Sequence, residues 1–172
     1  MGNIGSKKNV NVYKVPNPPN YTATNLTYTR VFEILTQELI KVGVNPPSYF
    51  MNSDREYCCY SFNDLKRFLN DSNISQKIKI YKKDGMINDN YSSIIMGYHL
   101  MWTAKTAPAE PTFGIISGDL RDTKNTSISN VNVMNFCITS EDGLNFQLHF
   151  IEPNTNKIIP PINNCSLWDC LL

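Results

Sequence analysis

Val131-Asn132-Val133-Met134-Asn135-Phe136-Cys137-Ile138-Thr139, Ser140-Glu141-Asp142-Gly143 and Leu144-Asn145-Phe146-Gln147-Leu148-His149-Phe150-Ile151 follow one another in the chain. Two β-rich runs flank a short polar segment that ends in Asp-Gly, which is the pattern of an antiparallel hairpin. On the second arm Leu144, Phe146, Leu148 and Phe150 alternate with Asn145, Gln147 and His149. Strand side chains alternate between faces, so one face of that arm is expected to be core and His149 to face solvent.

Working outward, Thr112 to Ser117 reads as a further strand, and Ile158 to Pro161 and Leu167 to Leu172 as a tail whose Trp168 docks back. Upstream, Tyr91, Ile94, Ile95, Tyr98, Met101 and Trp102 share one face of a helix over Tyr91–Thr103, with Asn88 to Asn90 as caps. Gly97 inside it costs about 1 kcal/mol relative to Ala, which suggests a close approach there. Ser61 to Leu69 is a second helix, with Ser61 as cap, Asp64 three residues on, and an apolar face of Phe62, Leu65, Phe68 and Leu69. Thr106 to Pro111 is a loop. Leu26, Tyr28, Phe32 and Ile34 favour a strand, while Val31, Leu35, Leu39 and Val42 fit a helical stripe; residues 35–44 stay open between the two. The expectation is an α+β fold: an antiparallel sheet packed against two or three helices, with a flexible N-terminal arm.

The chain has 172 residues, which suits one domain with a tail. Residues 1–25 are expected to be the arm and residues 26–172 the single globular domain. The net charge of +1 hides an asymmetry: residues 1–86 hold 12 Lys/Arg against 7 Asp/Glu, and residues 87–172 hold 4 against 8. A basic half beside an acidic half suits an anionic surface on one side and head-to-tail self-association on the other. No signal-peptide pattern and no apolar run of spanning length is visible. Cys58, Cys59, Cys137, Cys165 and Cys170 are odd in number and include an adjacent pair, so reduced thiols in a cytosolic compartment are expected. The Asn-x-Ser/Thr sequons are then chance matches in an Asn-rich chain.

The arm carries the motifs. Met1-Gly2-Asn3-Ile4-Gly5-Ser6-Lys7-Lys8 fits an N-myristoylation signal on Gly2. One myristoyl chain binds membranes only marginally, with an association constant of about 10⁴ per molar. No cysteine precedes Cys58, so the second signal falls to Lys7, Lys8 and Lys14, each adding about 1 kcal/mol near an anionic leaflet. Pro18-Pro19-Asn20-Tyr21 and Pro46-Pro47-Ser48-Tyr49 are Pro-Pro-x-Tyr tetrapeptides, preorganised polyproline ligands for WW domains. The first lies in a polar stretch and is expected to be the accessible one. Lys77-Ile78-Lys79-Ile80-Tyr81-Lys82-Lys83 reads as a basic strand, where Lys77, Lys79, Lys82 and Lys83 offer a patch for phosphates of lipid or RNA. The plainer reading is a charged edge that resists pairing.

Catalytic patterns are missing. His99 and His149 have no partner at metal-ligand spacing, and Cys165 and Cys170 have no second pair. There is no Gly-rich phosphate loop and no Gly-x-Ser-x-Gly. The expectation is a protein that is not an enzyme and takes no cofactor or metal.

The lipid signal, the Pro-Pro-x-Tyr motif and the α+β body together resemble the matrix proteins of rhabdoviruses. In that family a flexible arm with the motif precedes a strand, a helix, a second apolar helix and antiparallel strands. Pro18-Pro19-Asn20-Tyr21, Leu26 to Phe32, Tyr60 to Leu65 and Ile94 to Trp102 follow that order here. The chain departs from the family in its myristoylation signal and its shorter, less basic arm. The resemblance implies binding to the inner membrane leaflet, self-assembly, condensation of the nucleocapsid and budding, in the virion beneath the envelope and at the cytoplasmic face of host membranes. The implied partners are anionic lipid, nucleoprotein–RNA, a WW-domain ubiquitin ligase and further copies of the chain, with a viral glycoprotein tail as an additional candidate. The alternative is a cellular myristoylated adaptor that brings a WW-domain ligase to membranes.

Overall fold

A computed structural model describes residues 16–46, 49–50, 55–71, 88–119, 133–160 and 166–172. The expected hairpin is its centre. Strand β6 (Val133–Ser140) pairs antiparallel with β7 (Phe146–Glu152), with Phe136 opposite Phe150 and Ile138 opposite Leu148. Around it β5 (Phe113–Asp119), β8 (Lys157–Ile159), β9 (Ser166–Leu171) and β2 (Tyr49–Phe50) complete a six-stranded sheet in the order β2-β9-β5-β6-β7-β8. All its pairings are antiparallel except β2 with β9. A second sheet has the order β1-β3-β4, from β1 (Tyr21–Thr27), β3 (Glu56–Tyr60) and β4 (Glu110–Pro111). Among the described residues the helices are α1 (Tyr28–Lys41), α2 (Phe62–Asp71) and α3 (Asn88–Thr103), so the fold is α+β.

The expected core face of the second arm is present from Phe146 on, with Phe150 in one cluster and Phe146 and Leu148 packed against it, and the opposite face of the large sheet is covered as well. Met134, Phe136 and Ile138 of β6 join Phe150, Ile116 and the α1 residues Val31, Ile34, Leu35 and Leu39 in one apolar cluster. Cys137 of β6 joins Phe113, Ile151 and the helix residues Leu65, Phe68, Ile95 and Trp102 in another. The two-residue period of the strand sends alternate side chains to α1 and to the α2–α3 layer. Each fully buried Leu or Ile of these clusters contributes roughly 1.5–3 kcal/mol. Leu144 lies outside β7 and is 77% exposed, so the alternating pattern begins only at Phe146. His149 is half-buried rather than solvent-facing; it stacks on Phe62 of α2 at 4.4 Å and its Nε2 meets Thr139 Oγ1 at 2.9 Å.

Two further expectations change near the N-terminus. The boundary expected at Asn25 falls inside β1, and the strand expected from Leu26 gives way to helix α1. Thr27 caps α1, its Oγ1 accepting from the Arg30 amide at 3.3 Å. Tyr28 and Phe32, which read as strand residues, are an i,i+4 pair with rings stacked 6.4 Å apart. The stripe of Val31, Leu35 and Leu39 decided the outcome because the sheet offers it a face to bury. Residues 35–41 are therefore helical, and Gly43, at φ +73, turns the chain out of the helix.

Helix α2 starts as its spacing predicts: the Asp64 amide donates to Ser61 Oγ and Ser61 Oγ donates to Asp64 Oδ2, both at 3.1 Å. In α3, Tyr91, Ile95 and Trp102 are buried, but Met101 is 51% exposed. A Cβ on Gly97 would meet nothing within 4 Å, so no close approach accounts for that glycine. The expected loop before β5 contains β4, and Thr112 then joins the two sheets. Its amide donates to Cys58 O at 3.0 Å, its Oγ1 to Ile138 O at 2.8 Å, and its carbonyl accepts from the Ile138 amide at 3.0 Å. The expected tail is instead β8 and β9 of the large sheet.

Candidate functional site

Gly2, Lys7, Lys8, Lys14, Pro47, Lys77, Lys79, Lys82 and Lys83 lie outside the described residues, as do the basic strand and Cys165. The remaining motif residues are placed, and the first tetrapeptide is not on an independent arm. Pro18 is exposed, Pro19 is buried, and Tyr21 is half-buried as the first residue of β1. Its ring meets Tyr60 edge-on at 6.5 Å, and burial pushes its hydroxyl up to about 12. Trp102 Nε1 donates to Asn17 O at 2.7 Å, and Arg67 donates to Pro18 O at 3.1 Å. The Asn20 amide donates to Asp64 Oδ2 at 3.2 Å, while Asp64 Oδ1 pairs with Arg67 at 2.6 Å. Residues 17–21 are thus held by α2 and α3. In the second tetrapeptide Pro46 is half-buried, and Tyr49 opens β2, opposite Asp169 of β9.

Behind this segment lies a buried polar chain that the sequence did not reveal. Cys137 Sγ donates to the Tyr60 hydroxyl at 3.3 Å, and that hydroxyl lies 2.7 Å from His99 Nε2. Tyr60 has one hydroxyl proton, so it accepts from the thiol and donates to the imidazole. His99 stacks on Phe113 with centroids 4.1 Å apart and meets Phe68 and Trp102 edge-on. Desolvation holds the whole chain neutral: His99 is pushed down to about 3, while Tyr60 and Cys137 are pushed well above their ordinary values. Cys59, beside Thr112 Oγ1 at 3.1 Å, is pushed up to about 12, and Cys58 to about 11, by burial. Thiols this high carry almost no thiolate at neutral pH, which makes poor nucleophiles. The tight spacing of β3, Tyr57-Cys58-Cys59-Tyr60, was a legible sign of a buried strand, but its contact with a helix 39 residues on was not.

Among the described residues a polar groove of about 470 Å³ lies between α1 and β7. Arg30, Gln37, Glu38, Asn145, Phe146 and Gln147 line it. Arg30 lies over the Phe146 ring at 5.8 Å and pairs with Glu33 at 3.2 Å; Lys41 pairs with Glu38. In the hairpin loop Asp142 accepts the amides of Asn145 and Leu144 at 2.8 and 2.9 Å, which pull its carboxyl well below the usual range. Among the described residues no three His, Cys, Asp or Glu gather as a metal site, and no helix is long and apolar enough to cross a membrane.

No family model matches the chain, and no curated protein matches it in sequence. Solved structures share the fold, and two of them illustrate it. One is a PSL1a–E64 complex, with a TM-score of 0.60 and 15% identity over 86% of this chain and 50% of the other. The second is the Polyporus squamosus lectin bound to the human-type influenza-binding epitope Neu5Aca2-6Galb1-4GlcNAc, with a TM-score of 0.55 and 12% identity over 82% of this chain and 48% of the other. The chain spans about half the length of each. At these identities the likeness is one of fold.

Proposed function

We propose that the chain is a lipid-anchored structural protein of the viral matrix kind, acting by binding and assembly rather than by catalysis. Myristate on Gly2 with Lys7, Lys8 and Lys14 holds it to an anionic inner leaflet. Copies self-associate through the basic and acidic halves and condense nucleoprotein–RNA, and Pro-Pro-x-Tyr recruits a WW-domain ubiquitin ligase. The observation that carries this is the order of motifs: a myristoylation signal at Gly2, then Pro18-Pro19-Asn20-Tyr21 at the entry to the folded body. The neutral, desolvated state of Cys59, Cys137 and His99 supports a body that works by its surfaces. The test is expression in cells with collection of particles from the medium and flotation of membranes. Wild type should float and release particles, and Gly2→Ala should do neither. Equal flotation of both would sink the reading. Large assemblies at low salt distinguish the matrix role from the adaptor alternative, which would sediment as a small species.

A second reading is carbohydrate binding in the α1–β7 groove. It is favoured by the amides of Gln37, Asn145 and Gln147 beside the Phe146 ring, and by a fold similar to that of a solved lectin. Titration with Neu5Ac-containing trisaccharide decides it: binding lost in Gln37→Ala plus Gln147→Ala supports the groove, and no binding by wild type ends the reading.

A further inference from the structure

We infer that residues 17–21 are a latch, which withholds the Pro-Pro-Asn-Tyr ligand from a WW-type groove while the segment lies against α2 and α3. The inference rests on the proposed partnership with a WW domain. A polyproline ligand is recognised by both exposed proline rings and the neighbouring tyrosine together. Here only Pro18 is exposed; Pro19 is buried, and the Tyr21 ring packs against Tyr60. The same atoms cannot face the body and a partner at once, so latching and binding exclude each other.

The latch is built to hold and to release. Three groups of the body reach its main chain: Trp102 at Asn17 O, Arg67 at Pro18 O and Asp64 at the Asn20 amide. Arg67 also pairs with Asp64, so one side chain fixes another and both hold the segment. Residues 17–20 belong to no strand, and β1 behind them is the edge of its sheet, with register shifts between Tyr21 and Ala23 and between Ala23 and Leu26. Peeling back residues 17–21 therefore breaks few ladder bonds and leaves α1 and the large sheet in place. Of the groups that hold it, Trp102 is anchored in the second apolar cluster, and Tyr21 packs only against the outside of that cluster as a half-buried side chain.

A motif available only in the open fraction binds with its intrinsic dissociation constant divided by that fraction. Arg67 supplies a charge-assisted bond to the segment's main chain and braces Asp64, so removing it should raise the open fraction roughly tenfold. The experiment titrates a recombinant WW domain of the ubiquitin-ligase class against three probes: a synthetic peptide of residues 14–24, the full chain, and full-length Arg67→Ala. The expected order of affinity is peptide, then Arg67→Ala, then wild type, with about tenfold between the last two. Tyr21→Ala on the Arg67→Ala background should erase the gain, which separates this motif from Pro46-Pro47-Ser48-Tyr49. A full chain that binds as tightly as the peptide overturns the latch. A peptide that does not bind overturns the WW partnership instead, and hydrogen exchange at the Asn20 amide then decides the latch. Protection in wild type that is lost in Arg67→Ala supports it, and equal exchange in both overturns it. Unchanged melting of the Arg67→Ala body shows that release, not unfolding, is being read.

Discussion

His99 makes the fold acid-sensitive, and the size of the effect follows from its burial. The imidazole is 1% exposed and its pKa is pushed down to about 3 by desolvation. An unfolded histidine titrates near 6.5. As pH falls below about 6.5 the unfolded chain takes up a proton here, whereas the folded chain does so only near 3. Stability from this group is therefore intact above about pH 6.5, falls on acidification, and stops falling near pH 3. At about pH 4.5, two units below the unfolded value, the loss is roughly 2.7 kcal/mol, at about 1.36 kcal/mol per unit. That is a large share of the roughly 5–15 kcal/mol typical of a domain. The assay is urea unfolding followed by tryptophan fluorescence at pH 7 and 4.5, for wild type and His99→Gln. Glutamine can accept the Tyr60 hydroxyl but does not titrate. The variant loses the ring stack on Phe113 and should be weaker at both pH values, so the quantity read is the difference between them. Wild type should lose about 2–3 kcal/mol more than the variant on acidification. Equal losses would refute the reasoning, because carboxylates shared by both proteins would then carry the whole pH dependence.

Gly143→Ala should destabilise the fold by roughly 1–3 kcal/mol, read as a lower Tm. The residue sits at φ +74, and a Cβ there would lie 2.5 Å from Thr22 O, forcing β1 away from the hairpin loop. Thr112→Val keeps the shape but removes the hydroxyl bonds to Ile138 O and Cys58 O; denaturant titration should show a loss of about 1–3 kcal/mol, and no loss would mean water replaces them. Cys58 and Cys59 should react with a thiol reagent at pH 7 at least tenfold more slowly in the native protein than in urea, since burial raises both. Lys77→Gln with Lys79→Gln should weaken binding to anionic vesicles or RNA and flatten its salt dependence; unchanged affinity and slope would leave these lysines a solubility role.

Period and capping were legible where one physical signal acted alone. Ser61 with Asp64 announced α2, and the Ser140–Gly143 segment announced the central hairpin. The N-terminal misreading came from two signals in the same residues. Tyr28 and Phe32 carry aromatic enrichment that suits a strand, yet four-residue spacing also stacks them on a helix. Only the presence of a sheet face for Val31, Leu35 and Leu39 separates the two outcomes, and that face is built from residues more than 70 positions away. The second face of the sheet was hidden for a related reason. Asn135 and Thr139 look solvent-facing in sequence, but Asn135 Nδ2 donates to Ser92 O at 3.1 Å and Thr139 meets His149, so both are buried with partners. The candidate site divides the same way: its motifs are contiguous and could be read directly, while the Arg67, Asp64 and Trp102 contacts exist only after α2 and α3 pack together.

Both Pro-Pro-x-Tyr tetrapeptides end on the first residue of an edge strand. Tyr21 opens β1 at the margin of the three-stranded sheet, and Tyr49 opens β2 at the margin of the six-stranded sheet. Proline lacks an amide proton and is tolerated where a strand begins or at a sheet edge, so the fold alone accounts for prolines immediately upstream. The tetrapeptide therefore answers to two demands, strand entry and partner recognition, and its presence in the sequence does not separate them. Tyr21 does. Strand entry uses its main chain, which pairs with Tyr60 in the ladder. Its ring serves the body through the edge contact with Tyr60 and would serve a WW groove once released. Tyr21→Phe retains the ring and the strand but removes the hydroxyl, and Tyr21→Ala removes the ring as well. If the tetrapeptide is only a strand entry, both substitutions change stability and nothing else. If it is also a ligand, Tyr21→Ala lowers WW binding by far more than its effect on folding can explain, and the isolated peptide, which has no fold to lose, shows the same dependence.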